Sequence, residues 1–525
     1  MDTNRILLLM VGFACGLMIV RHVRGRPGHR GWLAVSVTVA ATIAALHFLA
    51  PTVAGYLGMV LWGLLVLVPA FGSRWLQRMV GHQQYGRARR LAGFLAVLHP
   101  LDGWPQIPEL LRALESAQRG DSMSAAARLT RVSASGHPTL RRQARFHLFR
   151  IGGDWEGMRR WIEGEVPEPN LGRDPVLLTH YLRALGETGE LNGLLAAFQR
   201  HGASLERTAL IAERAMAYVC ALAYGGRVAA TERVLTALMR SSGPQVRAFW
   251  LATAEAAAGN AAAARVRLDE LTGHPDAMVR RAAETRIARP PVEATLVLTP
   301  ESARLLAELE QRSLHEERYA ERADALGGKP LVTRTLAALN AAMFAVEVLS
   351  GGSEDLPTLY RLGAAFWPGF TAHDGWRLLA STFLHLGPWH LAMNLLGLLA
   401  LGPYLERALG PRRYLAAYLA SGVLAALTVV LVASARHQET LMVGASGSIM
   451  GVIGGTGAVL FRGWRQERAR PAVRRLRGVV LILALQVVFD LTTPQISFTA
   501  HFAGMVSGFL LCALMKHWPD AAPPG

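Results

Sequence analysis

Two residues could together break an acyl bond: Ser446, in Gly444-Ala445-Ser446-Gly447-Ser448, and His501, in Ala500-His501-Phe502-Ala503-Gly504. A serine hydroxyl is a weak nucleophile until a neighbouring base takes its proton, and histidine is the usual base near neutral pH. A third group, His390-Leu391-Ala392-Met393-Asn394, spaces two polar side chains at i and i+4, which stacks both on one face of a helix. Acyl transfer develops an oxyanion, and each donor aimed at it lowers the barrier by about 3 kcal/mol. Asn394 and His390 can donate from their side chains, and Ser446 from its backbone N–H at the top of a helix. Each residue also has a plainer account. Gly447, Gly451 and Gly455 form a small-residue ridge, as do Gly504 and Gly508, so the serine could serve only close helix packing. His501 could be a structural histidine, and His390 and Asn394 could simply hydrogen-bond between helices.

For these groups to meet, separate apolar elements must end at one level. Nine stretches approach the ~20 residues that a helix needs to cross a bilayer. The first three are about Ile6–Val20, Leu33–Leu49 and Val53–Phe71. The other six are about Val332–Leu349, Trp389–Tyr404, Tyr414–Ala433, Ser446–Phe461, Gly478–Phe489 and Phe498–Met515. Lys and Arg are retained on the cytoplasmic side, so loop charge reports orientation. The segments Arg21–Arg30, Arg74–Arg90 and Glu406–Arg413 are basic, and Arg462–Arg477 carries seven arginines against Glu467. Ala50–Thr52, Asp355–Pro388, Ser434–Val443 and Asp490–Ser497 carry little net positive charge. A nine-span chain with its N-terminus outside and its polar middle inside satisfies every loop. It places Ser446 and His501 within a turn or two of the outer surface.

Composition agrees with membrane residence: 51% of the 525 residues are apolar. The net charge of +17 would suggest nucleic acid if it formed a stripe on a soluble domain, but many of the basic residues sit in short loops between apolar runs. Nucleic acid is therefore not an expected partner, and anionic lipid is. Cys15, Cys220 and Cys512 show no metal-ligand spacing and no disulfide framework; neither a metal nor another cofactor is expected. Arg21 and His22 follow the first apolar run directly with no small-residue cleavage site, so that run is expected to remain as an anchor.

Between the two apolar groups a phrase of glycine plus a polar residue recurs at Gly120-Asp121, Gly153-Asp154, Gly189-Glu190, Gly226-Arg227 and Gly259-Asn260. The 33–37-residue spacing is near the ~34-residue period of tetratricopeptide helix pairs. An ordinary alanine-rich helical bundle is the alternative; either way the region is α-helical and offers a surface to a cytoplasmic protein partner. Pro290-Pro291 closes it, and Thr299-Pro300-Glu301 starts a charged helix ending near Gly327-Gly328. The expected organisation is a membrane region over residues 1–79, a helical tetratricopeptide-like domain over 80–290, a linker over 291–330 and a six-span core over 331–525. The fold class is all-α.

From about Leu331 to Met515 the chain resembles the rhomboid family of intramembrane serine proteases. The motifs occur in order: Trp376-Arg377, His385, His390-xxx-Asn394, Glu406-Arg407-xx-Gly410, Gly444-x-Ser446-Gly447 and Ala500-His501. The resemblance implies Ser446 as nucleophile and His501 as general base and then acid. It implies Asn394, His390 and the Ser446 amide as oxyanion donors, and His385 and Glu406 as structural. Trp376-Arg377 would belong to an amphipathic outer loop, with the stretch around Phe366–Pro388 as lid or entrance. The family orients its histidine by packing against an aromatic ring four residues after the serine, a position occupied here by Met450. Asp490, at the outer end of the fifth run of this core, is read as a marker of the membrane boundary, with a polar neighbour of that histidine as the alternative. Substrates would be membrane-spanning proteins cut near the outer face of a bacterial inner membrane. The alternative is a catalytically silent relative that binds membrane proteins. A zinc helix is excluded because His315-Glu316-Glu317-Arg318-Tyr319 lacks its second histidine.

Overall fold

A computed structural model describes residues 3–23, 30–208, 210–239, 242–319, 330–492 and 497–515. Arg24 and the rest of its basic loop to residue 29, the Gly327-Gly328 pair, and residues 493–496 of the loop before Ser497 lie outside the described residues. The chain is all-α apart from two three-residue strands. It divides into two compact units, Met1–Gln311 and Arg312–Gly525.

In the first unit, helices Thr3–Val23, Arg30–Leu49 and Ala54–Trp62 cover the first three apolar stretches, the last continuing through a π-turn into Val68–Gly81. Gly55 lets its helix lie directly on Asn4, whose Oδ1 accepts the Gly55 N–H at 2.7 Å. Further on, each recurring glycine joins two packed helices. Gly120, Gly153, Gly189, Gly226 and Gly259 all have φ between +69° and +95°, a region open to glycine at little cost. At three of these turns the next residue caps the following helix: Asp121, Asp154 and Asn260 accept from the N–H of Ser124, Gly157 and Ala263. The recurring phrase is thus a stop followed by a start, and it builds five helix pairs between Ile107 and Thr272. A second start signal also operates, since Thr299 Oγ1 accepts from Ser302 N at the head of helix Pro300–Arg318.

The second unit is a bundle of six helices: Leu331–Leu349, Gly387–Leu409, Pro411–Arg436, Ser446–Arg465, Arg470–Thr492 and Phe498–Leu514. They occupy the six expected stretches, extended at their ends by polar residues that apolarity alone could not assign. By length and apolarity four helices among the described residues qualify to cross a membrane: Arg30–Leu49, Ala54–Gly81, Leu331–Leu349 and Pro411–Arg436. A fifth qualifies if Arg377–Phe383 and Gly387–Leu409, bent by 91° at their junction, are one span. The chain is a polytopic all-α membrane protein.

The serine helix is the centre of this bundle, buried without interruption from Gly447 to Leu460. Its glycines permit that. A Cβ at Gly504 would lie 2.1 Å from Gly447 O, and one at Gly508 would lie 2.1 Å from Gly451 O, so the two backbones touch. At the far end of the pair the Arg462 guanidinium donates to the carbonyls of Ala513 and Met515 and closes the last turn of the histidine helix. Helix Arg470–Thr492 is the opposite case: Leu481, Leu485 and Val488 are at least half exposed, as a lipid-facing element requires.

Candidate active site

Ser446 is the first residue of its helix, and its side chain is half-buried while its neighbours Gly447 and Ser448 are fully buried. Two hydrogen-bonded ties fix the approach to it. Strand Thr440–Met442 pairs antiparallel with Ala365–Trp367, and the Gly444 N–H donates to Ser381 O at 2.8 Å. Gly444 then turns the chain with φ +120°, where a side chain would be strained and would also collide: its Cβ would lie 2.7 Å from His390 Cε1. His390 Nε2 and Ser446 Oγ both flank that point, at 2.9 and 3.7 Å.

His390 accepts the Leu386 N–H at Nδ1, 3.2 Å away, which leaves its ring proton on Nε2, the nitrogen beside Gly444 and the serine. Asn394 lies one turn further along the same face and is 7% exposed; its Nδ2 has no acceptor among the described residues. A buried donor left without a partner is costly unless something else satisfies it. Ser446 N–H belongs to the first turn of its helix, whose N–H groups have no partner within the helix.

His501 is 8% exposed and sits one turn before Gly504, the residue whose Cα lies against Gly447. Among the described residues no hydrogen bond joins Ser446 Oγ to His501 Nε2. The nearest polar partner of His501 is Asp490, whose Oδ2 lies 2.8 Å from Nδ1, with Gln486 Nε2 at 3.5 Å from the same nitrogen. Asp490 Oδ1 in turn accepts from Gln486 Nε2 at 2.7 Å. Met450 is buried among apolar residues. The boundary-marker role expected of Asp490 gives way to the alternative, since its carboxylate is a polar neighbour of His501; Gln486 is a participant that sequence reasoning missed. The signal was available, because Gln486 and Asp490 stand at i and i+4 in an otherwise apolar run, and intramembrane carboxylates are rarely idle.

The remaining motif residues hold the frame. Glu406 accepts from the N–H groups of Val332 and Thr333 at 2.9 Å and from Thr333 Oγ1 at 2.7 Å, capping the first bundle helix. Arg377 pairs with Asp374 at 2.8 Å, donates to Tyr360 O, and lies between the Tyr360 and Trp376 rings. That pins the loop carrying strand Ala365–Trp367. Fully buried His385 donates its N–H to Glu347 Oε1 at 3.0 Å, and its ring lies 5.4 Å from that of His390.

The Rhomboid domain family model matches residues 372–518, which contain Ser446, His501, His390, Asn394, Asp490 and Gln486. The chain is 32% identical over 192 residues to the rhomboid-family protein YdcA of Bacillus subtilis, covering 35% of this chain and 88% of YdcA. The chain belongs to the rhomboid family. Rhomboid protease GluP, also of Bacillus subtilis, is 32% identical over 202 residues, 38% of each chain. Inactive RHOMBOID-like protein 8 of Arabidopsis thaliana is 32% identical over 153 residues, 29% of this chain and 39% of that one. The chain thus spans well under half the length of GluP. Rhomboid relatives named as proteases and as inactive stand at the same identity, so the family name alone does not decide between catalysis and binding.

Proposed function

We propose that the chain is an intramembrane serine endopeptidase in which Ser446 is the nucleophile and His501 the base. The observations that support this reading are His390 Nε2 and a half-buried Ser446 Oγ around Gly444, a buried Asn394 amide one turn along the His390 helix, and His501 on the helix in backbone contact with the serine helix. In the reaction, His501 Nε2 takes the proton of Ser446 Oγ as the oxygen attacks the scissile carbonyl. The developing oxyanion receives hydrogen bonds from Asn394 Nδ2, His390 Nε2 and the Ser446 N–H. His501 then hands its proton to the departing amine, and water repeats the cycle on the acyl-enzyme. The Oγ–Nε2 hydrogen bond forms in this scheme with substrate in place, since catalytic hydrogen bonds often tighten only in the complex.

The substrate is a membrane-spanning protein whose helix unwinds near the surface, because an intact transmembrane helix hides its peptide bonds. The positive charge of the Glu406–Arg413 and Arg462–Arg477 loops supports a cytoplasmic location for them and an outward-facing active site in a bacterial inner membrane. On this reading residues 80–290 form a cytoplasmic tetratricopeptide-like domain that binds a protein partner, flanked by a membrane region over 1–79 and a linker over 291–330. Ser446→Ala and His501→Ala should each abolish cleavage of a purified single-span substrate, and continued cleavage by either rejects the assignment. A silent scaffold is the rival suggested by the inactive relative. Fluorophosphonate labelling that disappears in Ser446→Ala separates the two, because a scaffold has no activated serine to label.

A further inference from the structure

We infer that Asp490 is a positioning residue for His501, with Gln486 holding Asp490 in place; the inference rests on the reading of His501 as the base. The geometry is specific. Asp490 presents one carboxylate oxygen to each neighbour, Oδ2 to His501 Nδ1 at 2.8 Å and Oδ1 to Gln486 Nε2 at 2.7 Å. With both oxygens engaged the carboxylate cannot rotate, and its side chain is only 2% exposed.

A carboxylate accepts and does not donate, so the proton in the Asp490–His501 bond belongs to Nδ1. That tautomer leaves the lone pair on Nε2, the nitrogen that must receive the serine proton. During attack the Ser446 proton moves to Nε2 while the Nδ1 proton stays on the ring, and Asp490 faces the imidazolium without being protonated. Burying a carboxylate at this depth is costly, and a well-formed partner is what makes it tolerable. The chain carries Met450 where packing on an aromatic ring could have oriented the histidine, and here the orientation comes from Asp490 on helix Arg470–Thr492.

The rival account is architectural. Helices Arg470–Thr492 and Phe498–Leu514 otherwise touch little, so the Asp490–His501 bond could serve only to tie them. The two accounts differ in what an isosteric amide does. Asp490→Asn keeps volume and a hydrogen bond but can donate to Nδ1, which moves the ring proton to Nε2 and disables the base. With full-length protein in detergent and a fluorogenic single-span substrate, Asp490→Asn should lower kcat by roughly 10²- to 10⁴-fold. KM and the melting temperature should stay near wild type, and Asp490→Glu should recover at least tenfold of the lost kcat. In the His501→Ala background, Asp490→Asn should cause no further loss of fluorophosphonate labelling rate, since Asp490 acts only through the imidazole. Asp490→Asn with kcat within threefold of wild type overturns the inference. So does a loss that falls on melting temperature and kcat together and is not recovered by glutamate, which assigns the bond to architecture. If His501→Ala itself cleaves, the underlying assignment of the base has failed; if it is inert while Asp490→Asn is active, only the role of Asp490 has.

Discussion

Gly444 carries more of the site than its lack of a side chain suggests. Its φ of +120° turns the chain into the serine helix, and the space over its Cα is filled by the His390 imidazole. Gly444→Ala should therefore both strain the backbone and displace His390, lowering kcat by tenfold or more while leaving KM for a long substrate little changed; steady-state kinetics check this. As candidates, Ser446, His501, His390 and Asn394 stand out by residue type and spacing, because nucleophiles, bases and i,i+4 donor pairs have recognisable chemistry. The link from His501 to Asp490 was harder. The ten residues between them span the end of one helix and the start of the next, and which side chains meet there depends on helix rotation, about which periodicity within either helix is silent.

At the scale of elements, the glycine ridges predict close approach, and the structure shows backbone-to-backbone contact at Gly447–Gly504 and Gly451–Gly508. Gly508→Ala would put a methyl carbon 2.1 Å from Gly451 O, a clash with backbone that no rotamer change relieves. We expect a loss of about 1–3 kcal/mol, read as a lower midpoint of thermal unfolding in detergent, with a slower rate of serine labelling because the helices that carry Ser446 and His501 separate together. Glu406 offers a second test: Glu406→Ala removes three hydrogen bonds at the head of helix Leu331–Leu349 and should lower the same midpoint, whereas the conservative Glu406→Gln keeps an acceptor and should do less harm. The helices themselves were readable from apolar runs. The two short strands beside the site were not, since Ala365–Trp367 and Thr440–Met442 are too short to show an alternating pattern and form through each other.

For the molecule as a whole, its two units answer to different physics. The first unit's helical region holds charges and histidines in water-excluded places. The His180 imidazole, stacked on Phe146 with centroids 3.9 Å apart, is driven down to about 3 by burial first and by the nearby Arg150 and Arg183 charges next. A histidine held below its unfolded value favours the fold fully above about pH 6.5, and that contribution is lost as pH falls from there towards 3. His180→Phe should accordingly flatten the decline of the unfolding midpoint between pH 6.5 and 4, with residual slope from His147, whose imidazole burial also holds down. Circular dichroism melts of the full chain across that range check it. The recurring glycine turns made the helix pairs visible from sequence, while Pro300–Arg318 continues the first unit as far as Gln311, a boundary that the run of charged residues did not mark.

The helix that begins at Ser446 is enclosed from Gly447 to Leu460, yet it is absent from those apolar enough to cross a membrane by themselves. Glycine also disfavours the helical state, so this segment has little tendency to enter or stay folded in lipid alone. Its place must be supplied by companions made before and after it, above all the closing helix that follows residue 497. During biogenesis the segment that carries Ser446 is therefore expected to settle only alongside the helix that carries His501, and on the proposed mechanism a half-made chain would bring no working blade into the bilayer.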